Sequence, residues 1–299
     1  MTSATALGFV GLGSMGGAMA GRFADAGCDI SVYDVNAAAV AALAQRGAHA
    51  CASATEVGDR AEIVFCCLPA PEVSEAVAAQ LREGSACRVL VEMSTVGRAA
   101  MQRIGQAAGE RIELLDCPIS GGRPRAVSGK LSAIVAGPAQ LVERVRPLLD
   151  MLNSQVFVVG AQAGQAQVCK IANNAISITG LVVACEAVVM GAKAGLDPAV
   201  MIEVINASTG RNSATVDKFP KAILPRTFDY GGPIFIGAKD LNLYLEEARA
   251  QQASSLAVSI PAQMWQMAVN RFGDEADMTM FYRMLEEWAG LGEDGRPCP

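Results

Sequence analysis

The 299 residues carry 52% hydrophobic and 18% charged side chains, enough apolar matter for a sizeable core and, at this length, for two domains. A net charge of −6, with the basic residues scattered along the chain, leaves no electrostatic footprint for nucleic acid. Nine cysteines form no CxxC pair and His49 is the sole histidine, so neither disulfides nor a zinc site is expected and no metal is assigned.

The opening MTSATALGFVGLG has no charged leader region and runs straight into a strand-like segment, so a cytoplasmic protein without a signal peptide is expected. From there β-rich runs alternate with helical ones. ALGFVG, DISVYDV, EIVFCCLP, RVLVEMS, IELLDCP, LSAIVAG and SQVFVVG are the strands, and SMGGAMAGRFADAG, AAAVAALAQRG, PEVSEAVAAQLREG, GRAAMQRIGQAAGE and PAQLVERVRPLLDML the helices. The alternation predicts an α/β fold, a doubly wound parallel sheet, with the first domain over residues 1–160. His49, in GAHACAS, reads as an ordinary loop or strand-end residue, and Cys66 and Cys67, side by side in an apolar strand, as buried thiols.

Residues 161–299 read as a helical second domain that starts with one long helix, GQAQVCKIANNAISITGLVVACEAVVMGAKAG. Its stretch 175–192 is nearly long enough to span a bilayer, but Glu186 interrupts it and no basic flank marks an orientation; a fully buried helix is expected. Asp197 and Pro198 make a cap and first turn for DPAVMIEVINAS. From Thr209 to Asp229 the chain is polar, broken by proline and glycine and weakly periodic, which predicts a structured loop with short turns.

Between the first strand and the first helix stands GLGSMG, in which Gly11, Gly13 and Gly16 match GxGxxG and enclose Leu12, Ser14 and Met15. The first glycine permits a tight turn, the second lets a pyrophosphate approach the backbone, and the third lets helix and strand pack closely. Asp34 closes the second strand where an acid can bond both hydroxyls of an adenosine ribose. Its charge would repel a 2′-phosphate and no arginine follows in VNAAAV, so NAD is expected over NADP; the alternative, a cap on the next helix, is a role open to Asn36. LDCPISGG, residues 115–122, has the composition of a loop whose backbone N–H groups converge on an anion.

Taken together, FVGLGSMGGAMA, CLPAPEVSEAV, EMSTV, DCPISGG, GQAQVCKIANN and GAKDLNLYLEEA closely resemble, in order and spacing, the motifs of the β-hydroxyacid dehydrogenase family. The resemblance spans almost the whole chain and implies a Rossmann-type first domain with an all-helical second one. It implies that Lys170 is catalytic, that Ser120, Gly121 and Gly122 hold a substrate carboxylate, and that Asn174 bonds the substrate. Leu68, Pro69, Thr95 and Lys239 would line the cofactor, Lys239 also facing the substrate. Spacing independently puts Lys170, Asn174 and Ser177 on one helical face, with Asn173 pointing elsewhere. The chain departs from the family pattern at SGGRPRAVSGKL, where Arg123 and Arg125 stand and an arginine replaces an expected glycine, and at STVGR, which lacks a proline. The arginines are read either as altering substrate choice or as solvated loop charges.

A buried lysine beside a cofactor can serve as acid or base because desolvation lowers its pKa toward neutrality, and here it stands in for the missing catalytic histidine. The expected activity is NAD-dependent hydride transfer to or from a small 3-hydroxy carboxylic acid or its semialdehyde, in a homodimer or homotetramer with no nucleic-acid or membrane partner. An imine reductase on the same architecture, or a dinucleotide-binding protein without turnover, are the alternatives; NADH production on a panel of 3-hydroxy acids discriminates them.

Overall fold

The computed structural model describes residues 5–295; residues 1–4, where the leader expectation falls, and Cys298 lie outside the described residues. The chain forms two compact units, Met1–Lys170 and Ile171–Pro299.

The first unit is built on β1 (Leu7–Val10), β2 (Ile30–Tyr33), β3 (His49–Ala50), β4 (Ile63–Cys66), β5 (Val89–Glu92) and β6 (Glu113–Asp116), all parallel, in the order 3-2-1-4-5-6. Strand period 2 sends alternate residues to opposite faces. On one face Phe9, Phe65, Val89 and Val91 pack with Met19 and Phe23 of α1 (Gly16–Asp25) and with Leu141, Val145 and Leu149 of α7 (Ala139–Leu152). On the other, Val10, Val64, Cys66 and Leu90 meet Val57 of α3 (Ala54–Arg60), Leu81 of α4 (Pro71–Glu83) and Ile104 of α5 (Arg98–Ala108). With both faces covered by helices, the strands read as continuous apolar runs. Between β2 and β3 runs α2 (Ala37–Ala44), capped by Asn36, whose side chain accepts the Ala38 N–H at 3.0 Å.

Past β6 the sheet stops being parallel. β7 (Ile119–Ser120), α6 (Gly122–Ser128), β8 (Leu131–Ala136) and β9 (Asn153–Gly160) extend it, β8 running antiparallel to β6 and β7 and parallel to β9.

The helix α8 (Gln165–Lys193) begins in the first unit and continues into the second, followed by α9 (Pro198–Ala207), a π-helical segment (Ala214–Ile223), α10 (Ile234–Ala250), α11 (Leu256–Phe272) and α12 (Met280–Trp288). Asp197 caps α9 by accepting the Ala199 N–H at 2.7 Å. Trp265 anchors this unit's core: its ring stacks on Phe281 at 4.9 Å and its indole N–H donates to the Ile234 carbonyl at 2.8 Å.

Two sequence expectations are corrected. The stretch from Thr209 to Asp229 is not only loop: its centre is the π-helical segment, entered through Asn212, whose side-chain oxygen accepts the N–H groups of Ala214 and Thr215. Its buried residues come in pairs, Ala214 and Thr215, Lys218 and Phe219, Ala222 and Ile223, spaced by four and so on one face, while Pro220 inside it and Gly210 and Pro225 beside it carry the signals of a loop. Nor is α8 fully buried. It is long and apolar enough to cross a membrane by length and composition, yet only half of its most apolar window is covered within the chain. Leu181, Val182, Cys185, Val188 and Val189 face the core, whereas Ile176, Val183 and Met190 stand out 76%, 57% and 64% exposed.

Candidate active site

The carboxyl ends of parallel strands are where loops converge in an open α/β sheet. Here they bring together the glycine loop after β1, Asp34 after β2, Leu68 and Pro69 after β4, Thr95 after β5 and the 117–122 loop after β6. The three glycines of the first loop are of two kinds. A Cβ on Gly11, whose φ is +92°, would collide with the Cys67 carbonyl, and one on Gly16 with the Gly11 carbonyl, so the fold itself demands both. A Cβ on Gly13 would meet nothing within 4 Å. The fold does not need a glycine there, and the open space has room for a ligand that approaches the backbone. No side chain caps α1 and no acid occupies its first turn; the Gly17 N–H donates to the Gly13 carbonyl at 2.9 Å, and the helix end still presents its positive pole to the loop. This loop fits a dinucleotide pyrophosphate.

Asp34 is held against the same loop, accepting the Leu12 N–H at 2.5 Å and the Asn36 N–H at 2.7 Å. With Asn36 as the cap of α2, Asp34 is not spent on that helix. Val35, next in sequence, is 91% exposed.

Deeper in, a continuous polar chain joins the strand ends. The Ser94 hydroxyl accepts the Leu68 N–H at 2.7 Å, and the Ser94 N–H donates to Glu92 at 2.9 Å. Glu92 is in register beside Asp116 on β6, and both carboxyls are buried. Burial pushes Glu92 up to about 7, against the pull of the Ser94 and Ser74 donors and with a further push from Asp116. Burial likewise raises Asp116, to about 6, while its donors draw it back. Those donors are the start of α8: Asp116 Oδ2 accepts the N–H groups of Gly164, Ala166 and Gln167 at 2.7, 3.0 and 3.3 Å, and Oδ1 accepts the Gln167 side-chain amide at 2.9 Å. The Gln167 side-chain oxygen, Oε1, accepts the N–H groups of Val96 and Gly97 at 2.9 and 3.1 Å, and its side-chain amide also donates to the Ser94 backbone carbonyl at 3.1 Å. Lys170 follows one turn later, 7% exposed.

Ser120 ends β7, and Gly121 and Gly122, with φ of +136° and +71°, turn the chain into α6. Arg123 and Arg125 are exposed, and the Arg125 stem folds back until its Cδ is 2.8 Å from where a Gly121 Cβ would stand. In the second unit, Asn174 donates to Asp240 at 2.6 Å and Lys239 pairs with the other oxygen of that buried carboxylate at 3.1 Å. Asn173 is exposed and donates to Asn174 at 3.1 Å, and the Ser177 hydroxyl meets Ser213 at 3.0 Å. Asp116, Gln167, Ser94 and Asp240 were missed in the sequence, although each lies inside a motif quoted for its neighbours; their one signal is a polar side chain where the pattern expects an apolar one. His49 sits at the exposed strand β3, 3.2 Å from Asp29, away from these loops in sequence and role. Among the described residues no three His, Cys, Asp or Glu side chains group as metal ligands, and the eight described cysteines are free thiols.

A glycine loop that leaves room for a pyrophosphate, an acid closing the second strand and a buried lysine on the helix that follows the sheet define a dinucleotide-dependent oxidoreductase. Comparison with known proteins makes this specific. Residues 6–160 match the NAD binding domain of 6-phosphogluconate dehydrogenase, and residues 164–285 the NAD-binding domain of NADP-dependent 3-hydroxyisobutyrate dehydrogenase. The chain is 36% identical over 265 residues to 3-hydroxyisobutyrate dehydrogenase of Pseudomonas aeruginosa, covering 84% of this chain and 88% of that one. It is 30% identical to the NAD-dependent L-serine dehydrogenase of the same organism, with 94% and 98% covered. The structure of Mycobacterium tuberculosis 3-hydroxyisobutyrate dehydrogenase with L-serine superposes with a TM-score of 0.85 at 26% identity, covering 95% and 99% of the two chains. An imine reductase from Pseudomonas sp. shares the fold alone, at a TM-score of 0.62 and 17% identity. The chain belongs to the β-hydroxyacid dehydrogenase family, NAD(P)-dependent oxidoreductases of hydroxy acids.

The two kinds of glycine make separable predictions. Gly13→Ala is expected to leave the melting temperature unchanged and to weaken NAD(P) binding about tenfold or more, whereas Gly16→Ala lowers the melting temperature itself. Thermal melts beside fluorescence titration of the reduced cofactor read both effects.

Proposed function

We propose that the protein moves a hydride between nicotinamide and the carbinol carbon of a small 3-hydroxy carboxylic acid, or, in reverse, reduces the corresponding semialdehyde. The observation that carries this reading is the buried Lys170, one turn beyond the point where α8 is bonded to the ends of β5 and β6. The glycine loop and Asp34 would hold the dinucleotide, with Leu68, Pro69, Thr95 and Lys239 along it; when bound, nicotinamide supplies the hydride acceptor or donor. Neutral Lys170 accepts the substrate hydroxyl proton during oxidation, and its ammonium returns a proton to the forming alkoxide during reduction. Ser120 and the backbone N–H groups of Gly121 and Gly122 receive the substrate carboxylate, with the Arg125 stem at the edge of that turn. Asn174, steered by Asp240, offers the substrate a neutral hydrogen-bonding group.

Anchoring the carboxylate in one place and the hydride acceptor in another fixes the distance between them, so methyl esters of the accepted acid should be poor substrates. Lys170→Ala should lower kcat by about 10²–10⁴ with the fold and cofactor affinity retained. Near-normal turnover in the folded variant, or equal oxidation of acids and esters, rejects the assignment.

For the cofactor we favour NAD. Asp34 sits at the ribose end of the glycine loop with Val35 and Asn36 after it and no arginine to receive a 2′-phosphate. The ratio of kcat/KM for NAD over NADP should exceed one, and Asp34→Ser should shrink it. The free thiols suit a reducing, cytoplasmic setting.

We also infer a homo-oligomer. Cys169, Ile176, Val183 and Met190 recur every seven residues along α8 and all are exposed, an apolar seam of the kind a partner helix covers. Sedimentation at micromolar concentration should show a dimer or tetramer, and Val183→Glu should shift it toward monomer; a wild-type monomer defeats the reading.

A further inference from the structure

The Gln167 side chain is wholly buried and uses its entire hydrogen-bonding capacity. Its oxygen accepts from Val96 and Gly97, and its nitrogen donates to Ser94 and Asp116. The three backbone partners bracket Thr95, which follows β5, and the fourth is the carboxylate at the end of β6, immediately before the 117–122 loop. Gln167 itself belongs to the first turn of α8, three residues before Lys170. One amide therefore touches the cofactor-side loop, the root of the carboxylate loop and the helix of the proton-transfer lysine.

We infer that Gln167 is the positioning residue of this site, setting the distance between the Thr95 loop and Lys170 by holding both to Asp116. The inference rests on the reading of Lys170 as acid and base. Only an amide does this at that length. A carboxylate offers acceptors without donors, an ammonium donors without acceptors, and an aliphatic chain neither, and each would leave buried backbone groups at Ser94, Val96 or Gly97 unpaired. The Asp116 carboxylate alone caps the helix, since it accepts three backbone N–H groups directly; Gln167 adds the tie from that cap to the next loop.

Gln167→Glu tests this because it keeps the shape and one acceptor oxygen but turns the other oxygen toward two acceptors, the Asp116 carboxylate and the Ser94 carbonyl. A single proton shared across the introduced carboxyl and Asp116 relieves that repulsion. With the 3-hydroxy acid that the wild type oxidises fastest, kcat, KM and NADH affinity are measured from pH 6 to 9 for wild type, Gln167→Glu, Gln167→Ala and Lys170→Ala, with circular dichroism at each pH. The expected result for Gln167→Glu is a kcat deficit of about 100-fold at pH 9 that closes to within about fivefold at pH 6, with KM changed by less than threefold. Gln167→Ala, where it folds, should show a pH-independent kcat loss of about tenfold or more. A Gln167→Glu enzyme that matches wild type throughout, loses the same factor at every pH, or unfolds at high pH overturns the positioning role. If instead Lys170→Ala retains wild-type turnover, or the wild type oxidises no acid in the panel, the proton-transfer reading fails and this inference falls with it.

Discussion

A buried carboxylate at the head of a 29-residue helix is the constraint on which the rest of the site hangs. The first turn of any helix leaves N–H groups without partners and a partial positive charge at its end. Asp116 answers both, because three of those N–H groups and a side-chain amide point at its two oxygens. An ionised carboxylate in a dry interior is costly when alone and tolerable when its lone pairs are filled. The reward is geometric: the start of α8 is fixed to the ends of two neighbouring strands, and every residue in its first turns inherits that position.

The glycine loop adds a second constraint of a different kind. Gly11 and Gly16 answer to the packing of β1, α1 and the end of β4, whereas Gly13 answers to open space. Asp34 spans the two by bonding the loop backbone while it closes β2. Within one six-residue turn, packing thus fixes two glycines and leaves the third unconstrained.

Much of this was legible in the sequence because it is local. A strand of four apolar residues, a glycine turn and an amphipathic helix announce themselves within a dozen positions, and the parallel direction of β1, β2, β4, β5 and β6 follows from their alternation with helices, whereas the two-residue β3 read as loop and the strand order is not fixed by the alternation. The antiparallel extension was not legible, since β7 has only two residues and pairs β8 through a single short register. The π-helical segment hid behind Pro220 and the glycine and proline that flank it, which read as loop. At the site, Lys170 and the glycines stood out by type, but Asp116 and Gln167 are 51 residues apart and their bond exists only once the sheet has formed. That α8 is apolar around most of its circumference was legible and carried the oligomer expectation, but which of its residues stay uncovered was not; Ile176 and Val182 look alike until the helix is packed.

The position of Glu92 has a consequence for how the chain exchanges heat with its solvent. Its carboxyl is moved from an ordinary 4.5 to about 7 by burial, so near pH 6 the folded chain holds a proton that the unfolded chain surrenders, and Asp116 adds a fraction of another. Their contribution to stability is complete below the unfolded pKa values and is lost as pH rises through the folded ones. Each melting event at that pH releases the proton to the buffer. The calorimetric enthalpy of unfolding then includes the buffer's own heat of ionisation, and the same protein melts with different heats in phosphate and in an amine buffer although the fold being lost is identical.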